Sequence, residues 1–255
     1  MKILNKIVIA LAVLLAPAAA SAQYFDHLTA GVAVGTDGVS LQVAAPVGEI
    51  VELRLNGSWW PSFIHTSVTR NLNMTNYDGT PRGASDVTVL FEPALKGGGL
   101  MVDLFTGSES PFHFTAGLSY GPASLLKVYN KEPFLEKSDW GTAGLKIGDT
   151  FITTDKNGIC HLGIEVNQLR PYLGIGLGRS IPKLNPVSVS VDFGAYYTGP
   201  WGCWADGRNL NNVAKADHIQ ITSADVNNED GGVLDVFAKI PVFPVLRFNV
   251  NVKLF

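Results

Sequence analysis

The chain has 255 residues, and its 19 Lys and Arg against 22 Asp and Glu give a formal net charge of −3. Charged residues make up only 16% of the sequence, while glycine is frequent at 27 residues. Nucleic-acid binding requires a concentrated basic face, which this mildly acidic composition argues against. The length suits one domain or two small ones.

The N-terminus has the order of a secretory signal peptide. Two lysines precede an apolar run at 7–15, and the small-residue sequence Ala-Ser-Ala ends at Ala22. A permanent transmembrane helix needs about 20 apolar residues, more than this run supplies. We therefore predict that residues 1–22 are a signal peptide cleaved after Ala22, and that residues 23–255 form the exported chain.

Short segments after the signal alternate apolar and polar residues with a period of two, which indicates β-strands. The clearest is 187–198, where Val189 and Phe193 fall on one face and Ser190 and Asp192 on the other. No later apolar run is long enough for a transmembrane helix. A closed barrel is then the structure that could span a membrane, because every backbone N–H and C=O must be paired there.

A soluble β-sandwich would also alternate, and it is the alternative fold. The apolar faces, however, continue to the strand ends and finish in Trp or Tyr, as interfacial girdles do. The polar faces are rich in Gly, Ser, Asn and single charges, which suits a narrow lumen. We predict an all-β fold, an antiparallel transmembrane up-and-down β-barrel in the outer membrane of a Gram-negative bacterium.

The strand count is expected to be even, because both termini of such a barrel lie on the periplasmic side. The phase of alternation changes at Gly97 to Gly99, so 85–105 is either one bulged strand or a hairpin. We predict eight strands; ten, with a further hairpin from 143–152 and 159–166, is the alternative. The eight candidates are 27–34, 39–45, 50–60, 85–105, 112–120, 168–179, 187–198 and 242–255.

With eight strands, three long segments all fall on the outer side, at 61–84, 121–167 and 199–241. The remaining connections are short. This asymmetry is typical of outer-membrane barrels. We therefore expect one barrel domain over 23–255 with three long outer loops.

Four segments resemble the small outer-membrane β-barrel proteins of the OmpA/OmpW-like type. They are HLTAGVAVGTDGV at 27–39, EIVELRLN at 49–56, RPYLGIGLG at 170–178 and VSVDFGAYYTG at 189–199. The resemblance implies an integral outer-membrane location, contact with outer-membrane lipid and lipopolysaccharide, and assembly by the barrel-insertion machinery. It implies no defined activity. OmpA itself carries a periplasmic peptidoglycan-binding domain after its barrel, and we expect none here.

The interior of an eight-stranded barrel is filled by side chains, so an open pore is not expected. Five charged residues lie on the predicted inner faces, and we predict that they form a lumenal network that pairs buried charges. They are Glu52, Arg54, Asp103, Asp192 and Arg247. A gated polar path for a small solute is the alternative, which would make the protein porin-like.

Three histidines lie in or beside the outer loops with aspartates that could assist them in acid–base chemistry. They are His65, His161 and His218, with Asp78, Asp206 and Asp217. No nucleophile motif accompanies them, and no His/Cys cluster has metal-ligand spacing. We predict a non-enzymatic structural or surface-interaction role, without catalytic residues, cofactor or metal. A lipid-modifying enzyme is the second alternative.

Cys160 and Cys203 are the only cysteines, and both are expected in outer loops beside neighbouring strands. An oxidising compartment permits a disulfide between them, whereas the bonding distance cannot be read from sequence. Two free thiols are the alternative.

Tryptophans mark two parts of the chain. Trp59 and Trp60 are expected to anchor the barrel at the lipid boundary. Trp201 and Trp204 are candidates for a surface recognition patch, whose ligand the sequence does not identify.

Overall fold

The structure is a computed structural model that describes residues 27–76, 78–147, 150–181, 185–209, 212–221, 239 and 241–254. The predicted signal peptide and its cleavage after Ala22 lie outside these residues. Sixteen β-strands occur among the described residues, and β1 to β8 are Thr29–Gly35, Gly38–Pro46, Val51–Trp59, Thr66–Asn76, Pro81–Pro93, Lys96–Phe105, Phe112–Tyr120 and Ser124–Asn130. Strands β9 to β16 are Ala143–Ile147, Thr150–Thr153, His161–Glu165, Leu169–Leu177, Val187–Tyr197, Gly202–Asn209, Asn212–Ile221 and Val242–Lys253.

Eight strands close into an antiparallel barrel in the order β1-β16-β13-β12-β7-β6-β3-β2. The first and last strands pair along their length, with Val32 opposite Val250, and this pairing closes the ring. The predicted all-β antiparallel barrel of eight strands is confirmed. We call the end where Thr29 begins β1 and Lys253 ends β16 the terminal end, and the opposite one the far end.

The segment 85–105 is neither one bulged strand nor a hairpin, so both interpretations of it were wrong. Strand β5 ends at Pro93 and belongs to a second sheet, whereas β6 begins at Lys96 and belongs to the barrel. The alternation changes phase because the two strands pack against different interiors. In β5 the buried residue is Val87, whereas in β6 the apolar Leu100 points outward.

The second sheet has the strand order β10-β9-β4-β5-β8-β11-β14-β15, and β10 also pairs with β14. Seven of its strands therefore form a ring, with β15 on the outside edge. All its strands leave and rejoin the barrel at the far end, between β3 and β6, between β7 and β12, and between β13 and β16. The segments expected as long loops thus contain ordered strands.

The further hairpin considered, between 143–152 and 159–166, is not the pairing that the structure has: β9 and β10, both from the first of these segments, form a hairpin with each other. It belongs to the second sheet, because β9 also pairs with β4 and β10 with β14. Strand β11 pairs with β8 and β14 of the same sheet. The ten-stranded barrel was therefore the wrong alternative.

The distribution of side chains in the barrel is inverted relative to a water-soluble barrel. Apolar side chains on the outer face are exposed, for example Leu173 at 71%, Val189 at 63% and Phe193 at 61%. The inner positions are buried and mostly polar, and the largest include Arg54, Arg170 and Arg247. Among the described residues, no helix is long and apolar enough to cross a membrane.

Candidate functional site

The middle of the lumen is held together by Arg54, whose strand β3 faces β13 across the barrel. Its guanidinium lies 2.6 Å from Asp103 through Nε and Oδ2, and 2.6 Å from Asp192 through Nη1 and Oδ2. The side chains of all three are at most 2% exposed. Because two carboxylates surround one guanidinium, the charges are largely matched by contacts inside the protein.

Neutral and titratable groups complete this network around the two carboxylates. The Thr115 hydroxyl donates to Asp103 Oδ1 at 2.6 Å, and the Asn249 amide donates to Asp192 Oδ2 at 2.9 Å. The His113 Nε2 atom lies 3.1 Å from Asp192 Oδ1. These contacts cross-link β6, β7, β13 and β16 through the lumen.

A separate ion pair closes the lumen toward the terminal end. Glu52 pairs with Arg179 at 3.3 Å, and it also accepts a hydrogen bond from the Ser180 backbone N–H at 3.1 Å. The Arg179 guanidinium lies 3.9 Å from the centroid of the Phe105 ring. It also donates to the carbonyl of Gly107 at 3.0 Å. These contacts place the Arg179 guanidinium and the Phe105 ring across the terminal end of the lumen.

Arg247 closes the lumen toward the far end. It pairs with Asp37 in the turn between β1 and β2, and its Nη2 donates to the Tyr196 hydroxyl at 3.1 Å. The Tyr196 ring contacts Tyr172 with centroids 5.1 Å apart. This pair packs with Met101 and other apolar residues into one cluster. A further apolar cluster around Leu95, Leu125 and Val166 follows beyond it.

The structure therefore buries all five predicted lumenal charges, but it joins only Arg54, Asp103 and Asp192 into one network. Glu52 and Arg247 have other partners, Arg179 and Asp37. Sequence reasoning missed these partners because strand alternation does not assign a direction to residues in connections. Asp37 lies in a turn, and Arg179 lies after the end of β12, although the predicted strand 168–179 included it. His113 and Thr115, in contrast, lie on the polar face of β7, where the alternation could have indicated them.

The two cysteines lie in the second sheet as free thiols, so the disulfide that the sequence permits is not formed in the structure. They are nevertheless close in the fold, because Cys203 packs against the apolar cluster that contains Cys160 and Ile152. The Cys160 backbone N–H donates to Asn130 Oδ1 at 2.6 Å. Burial raises the pKa of the Cys160 thiol to about 12, and burial also raises the pKa of Cys203.

We expect both thiols to resist alkylation in the folded protein near pH 8, because the thiolate is the reactive form and both pKa values are raised. Intact-mass measurement of protein treated with iodoacetamide should show little modification before unfolding. After unfolding without reductant it should show two adducts. If two adducts appear only when reductant is added, the cysteines are bonded and the free-thiol state is wrong.

The candidate catalytic histidines have different neighbours. His65 Nδ1 lies 3.4 Å from the Ser62 carbonyl, and His161 Nε2 lies 3.4 Å from Asp155. Asp78 accepts hydrogen bonds from the backbone and hydroxyl of Thr80. The side chain of Asp217 lies outside the described residues. His161 lines the same surface groove as His218 and Asp206, which His65 and Asp78 do not line.

Among the candidate catalytic histidines, His218, on β15 of the second sheet, has two acidic neighbours. Its Nδ1 lies 3.2 Å from Asp206 Oδ1, and its Nε2 lies 3.2 Å from Glu165 Oε1. Its ring stacks parallel to the Trp204 indole, with centroids 4.8 Å apart. In the part of the chain that the structure describes, no group of three or more acidic, histidine or cysteine residues could hold a metal ion.

These residues line an open groove of about 590 Å³ on the outer face of the second sheet, which we call the outer groove. It runs over β8, β11, β14 and β15, with one residue from β5. Its lining consists of Glu92, Ser124, Lys127, Val128, Tyr129, His161, Leu162, Gly163, Glu165, Trp204, Asp206 and His218.

The strand register explains why a groove forms here. Across four neighbouring strands, Glu92 stands opposite Lys127, Lys127 opposite Gly163, and Gly163 opposite Trp204. Gly163 has no side chain, so a gap is left between the long side chains of Lys127 and Trp204. Tyr129 lies two residues after Lys127 on β8. Its hydroxyl donates to Glu92 Oε2 at 2.8 Å, and this hydrogen bond raises the pKa of Tyr129.

The structure separates the tryptophans that the sequence grouped. Trp204 lines the outer groove, whereas Trp201 packs against the apolar cluster beyond the far end. Trp59 is exposed on the barrel, whereas Trp60 packs against that same cluster.

No protein-family model matches the sequence, and no curated protein matches it in sequence. Solved structures that share similarity with the chain include three outer-membrane proteins. Acinetobacter baumannii CarO is 16% identical, with 89% of this chain and 96% of that chain covered and a TM-score of 0.46. Acinetobacter baumannii CarO2 is 17% identical, with 89% and 98% covered and a TM-score of 0.49. A major outer membrane protein from Thermus thermophilus is 16% identical, with 89% and 99% covered and a TM-score of 0.38. The barrel itself is defined by the strand pairing of this chain.

Proposed function

We propose that this chain is an integral outer-membrane β-barrel protein that anchors the second sheet at the cell surface, with a structural or surface-interaction role and no enzymatic activity. The observation that carries the proposal is the inverted barrel, apolar outside and charged inside. Exposed apolar side chains such as Leu173 and Val189 would be costly to hydrate over so large an area. In hydrocarbon the same face is favourable, and the paired backbone of a closed barrel is satisfied.

Aromatic residues at the far end support the same proposal. Trp59, Tyr120 and Tyr197 end β3, β7 and β13, and they are 41%, 63% and 51% exposed. Amphipathic rings at one level around a barrel suit the boundary between hydrocarbon and headgroups. The proposed contacts are therefore outer-membrane lipid and lipopolysaccharide.

The sequence adds two further supports. The predicted signal peptide would export the chain, and the resemblance to OmpA/OmpW-like barrels implies insertion by the barrel-assembly machinery. The proposed finer assignment is thus a small barrel of that type, without a nucleic-acid partner.

We expect the protein to fractionate with outer membranes, to need detergent for extraction, and to migrate differently on a denaturing gel before and after boiling. A folded barrel resists unfolding by the gel detergent until it is heated, because its backbone hydrogen bonds are closed in a ring. A periplasmic protein that is extracted without detergent and shows no heat-dependent shift would contradict the proposal.

The filled lumen favours an anchor over a channel. Arg179, the Arg54 network and the Tyr172–Tyr196 pair occupy successive levels between the two ends of the barrel. A small solute would have to displace buried ion pairs, which are costly to separate.

Purified protein in planar bilayers is therefore expected to give no reproducible unitary current. A general porin measured under the same conditions is the positive control. Reproducible unitary currents from the purified protein would favour the porin-like alternative. For the lipid-modifying alternative, the composition of lipid A should be unchanged between a deletion strain and an overexpressing strain.

A further inference from the structure

We propose that the outer groove is a saccharide-binding site. It lies on the sheet that the proposed function places at the cell surface, so the inference deepens that function and rests on it. Its volume of about 590 Å³ falls within the range of small-molecule sites, roughly 300–1,000 Å³. A short saccharide segment would fill this volume.

The two sides of the groove offer aromatic surface. Trp204 and its stacked neighbour His218 line one side, and Tyr129 lines the other. Sugar rings present patches of C–H bonds between their hydroxyls. Such patches pack against aromatic rings, which bury much apolar area while keeping a polar edge for hydrogen bonding. Gly163 opens the floor between the two sides, as the register places it between Lys127 and Trp204.

Hydrogen-bonding groups of both kinds surround the aromatic surface. The carboxylates of Glu92, Glu165 and Asp206 accept hydrogen bonds from hydroxyls, and the Lys127 ammonium donates to hydroxyl or ring oxygens. Bonds to charged groups are stronger than bonds between neutral ones. A ligand with many hydroxyls, each both donor and acceptor, can use all of these groups at once.

The charges of the lining argue against an anionic ligand. An anion would meet three carboxylates, which outnumber the single ammonium of Lys127, whereas a ligand with many neutral hydroxyls can bond to both kinds of group. The carboxylates are also already held in place, Glu92 by Tyr129 and the other two by His218. Preorganised acceptors of this kind reduce the entropy cost of binding a neutral hydroxylated ligand.

The test uses the full mature protein, folded in a detergent without a sugar headgroup, because alkyl glycosides would compete for the groove. The labelled protein is applied to an array of neutral and charged glycans that includes core oligosaccharide released from lipopolysaccharide. We expect binding to at least one class of neutral glycan. Affinity for it should fall by about tenfold or more in Trp204→Ala and in Lys127→Gln.

Two matched controls separate the groove from general effects. Trp59→Ala removes an exposed tryptophan on the barrel, and Lys146→Gln removes an exposed lysine on β9 of the same sheet. Both should bind as the unchanged protein does. Glu165→Gln keeps the size of the side chain and tests the acceptor role, and its affinity should also fall. Each variant is first shown to retain its heat-dependent gel shift.

The outcomes are distinct. Preference for neutral segments of the lipopolysaccharide core would identify the membrane's own sugars as the ligand, and preference for other neutral glycans would identify free or foreign saccharides; both support the inference, whereas binding of charged glycans alone would overturn it. No glycan bound, or binding unchanged in the groove variants, would overturn it while the outer-membrane proposal stands. A protein that lacks the heat-dependent shift and fractionates as soluble would instead overturn the proposed function.

Discussion

Replacing Arg54 by methionine is expected to lower the free energy of unfolding of the barrel by about 3–5 kcal/mol, the cost typical of breaking a buried ion pair. The change leaves Asp103 and Asp192 facing one another in a closed lumen with their shared cation gone. Asp103 keeps the bond from Thr115, and Asp192 keeps those from Asn249 and His113. These bonds cannot replace the full charge. Denaturant titration of protein refolded into lipid vesicles measures the difference.

An exposed arginine supplies the control. Arg82 of β5 pairs with Asp139 at 2.9 Å, but its side chain is 35% exposed. Solvent screens such a pair, so Arg82→Met should leave the unfolding midpoint nearly unchanged. Combining Arg54→Met with Asp103→Asn and Asp192→Asn should recover part of the loss, because no carboxylate is then left unpaired. If Arg54→Met has no more effect than Arg82→Met, the network does not stabilise the barrel.

Replacing Leu173 by arginine is expected to destabilise the membrane-inserted barrel by about 2–4 kcal/mol. Leu173 stands at the middle of β12 and is 71% exposed on the outer face. In the proposed location this position faces the centre of the hydrocarbon layer, where a guanidinium loses its hydration. The measurement is the unfolding midpoint in lipid vesicles, together with the amount of protein recovered from outer membranes.

An arginine placed in the second sheet distinguishes the effect of membrane burial from a general destabilisation by arginine. Ala84 is exposed on β5, outside the barrel. Ala84→Arg should insert and unfold like the unchanged protein. Equal behaviour of the two variants, with neither affected, would mean that the apolar face of the barrel does not lie in lipid.

The closed barrel could be predicted because its strands alternate with a period of two between clearly apolar and clearly polar faces. The second sheet could not, since the two faces of its strands differ little in polarity. In β4, Thr66–Asn76, polar residues dominate and only Thr75 is buried. The pattern therefore looked like a loop. The register with β5 and β9 orders it, and the pairing with β9 joins residues that lie far apart in the sequence, such as Met74 and Leu145.

The outer groove was equally beyond sequence reasoning. Trp201 and Trp204 were candidates for a surface recognition patch, but of the two only Trp204 lines the groove. Its companions come from β5, β8, β11 and β15, whose adjacency follows from the strand order of the second sheet. The residue that opens the floor, Gly163, has no chemical signal of its own.

From the sequence by itself we predicted the export signal, the number of barrel strands and which of their side chains point inward. Strand alternation is local, so each strand carries this information alone. Only the tertiary structure decided how the buried charges pair and what the long connections become. Arg54 and Asp192 are 138 residues apart, and Arg247 and Asp37 are 210 residues apart. Such pairs meet through barrel closure and register, which depend on all the strands together.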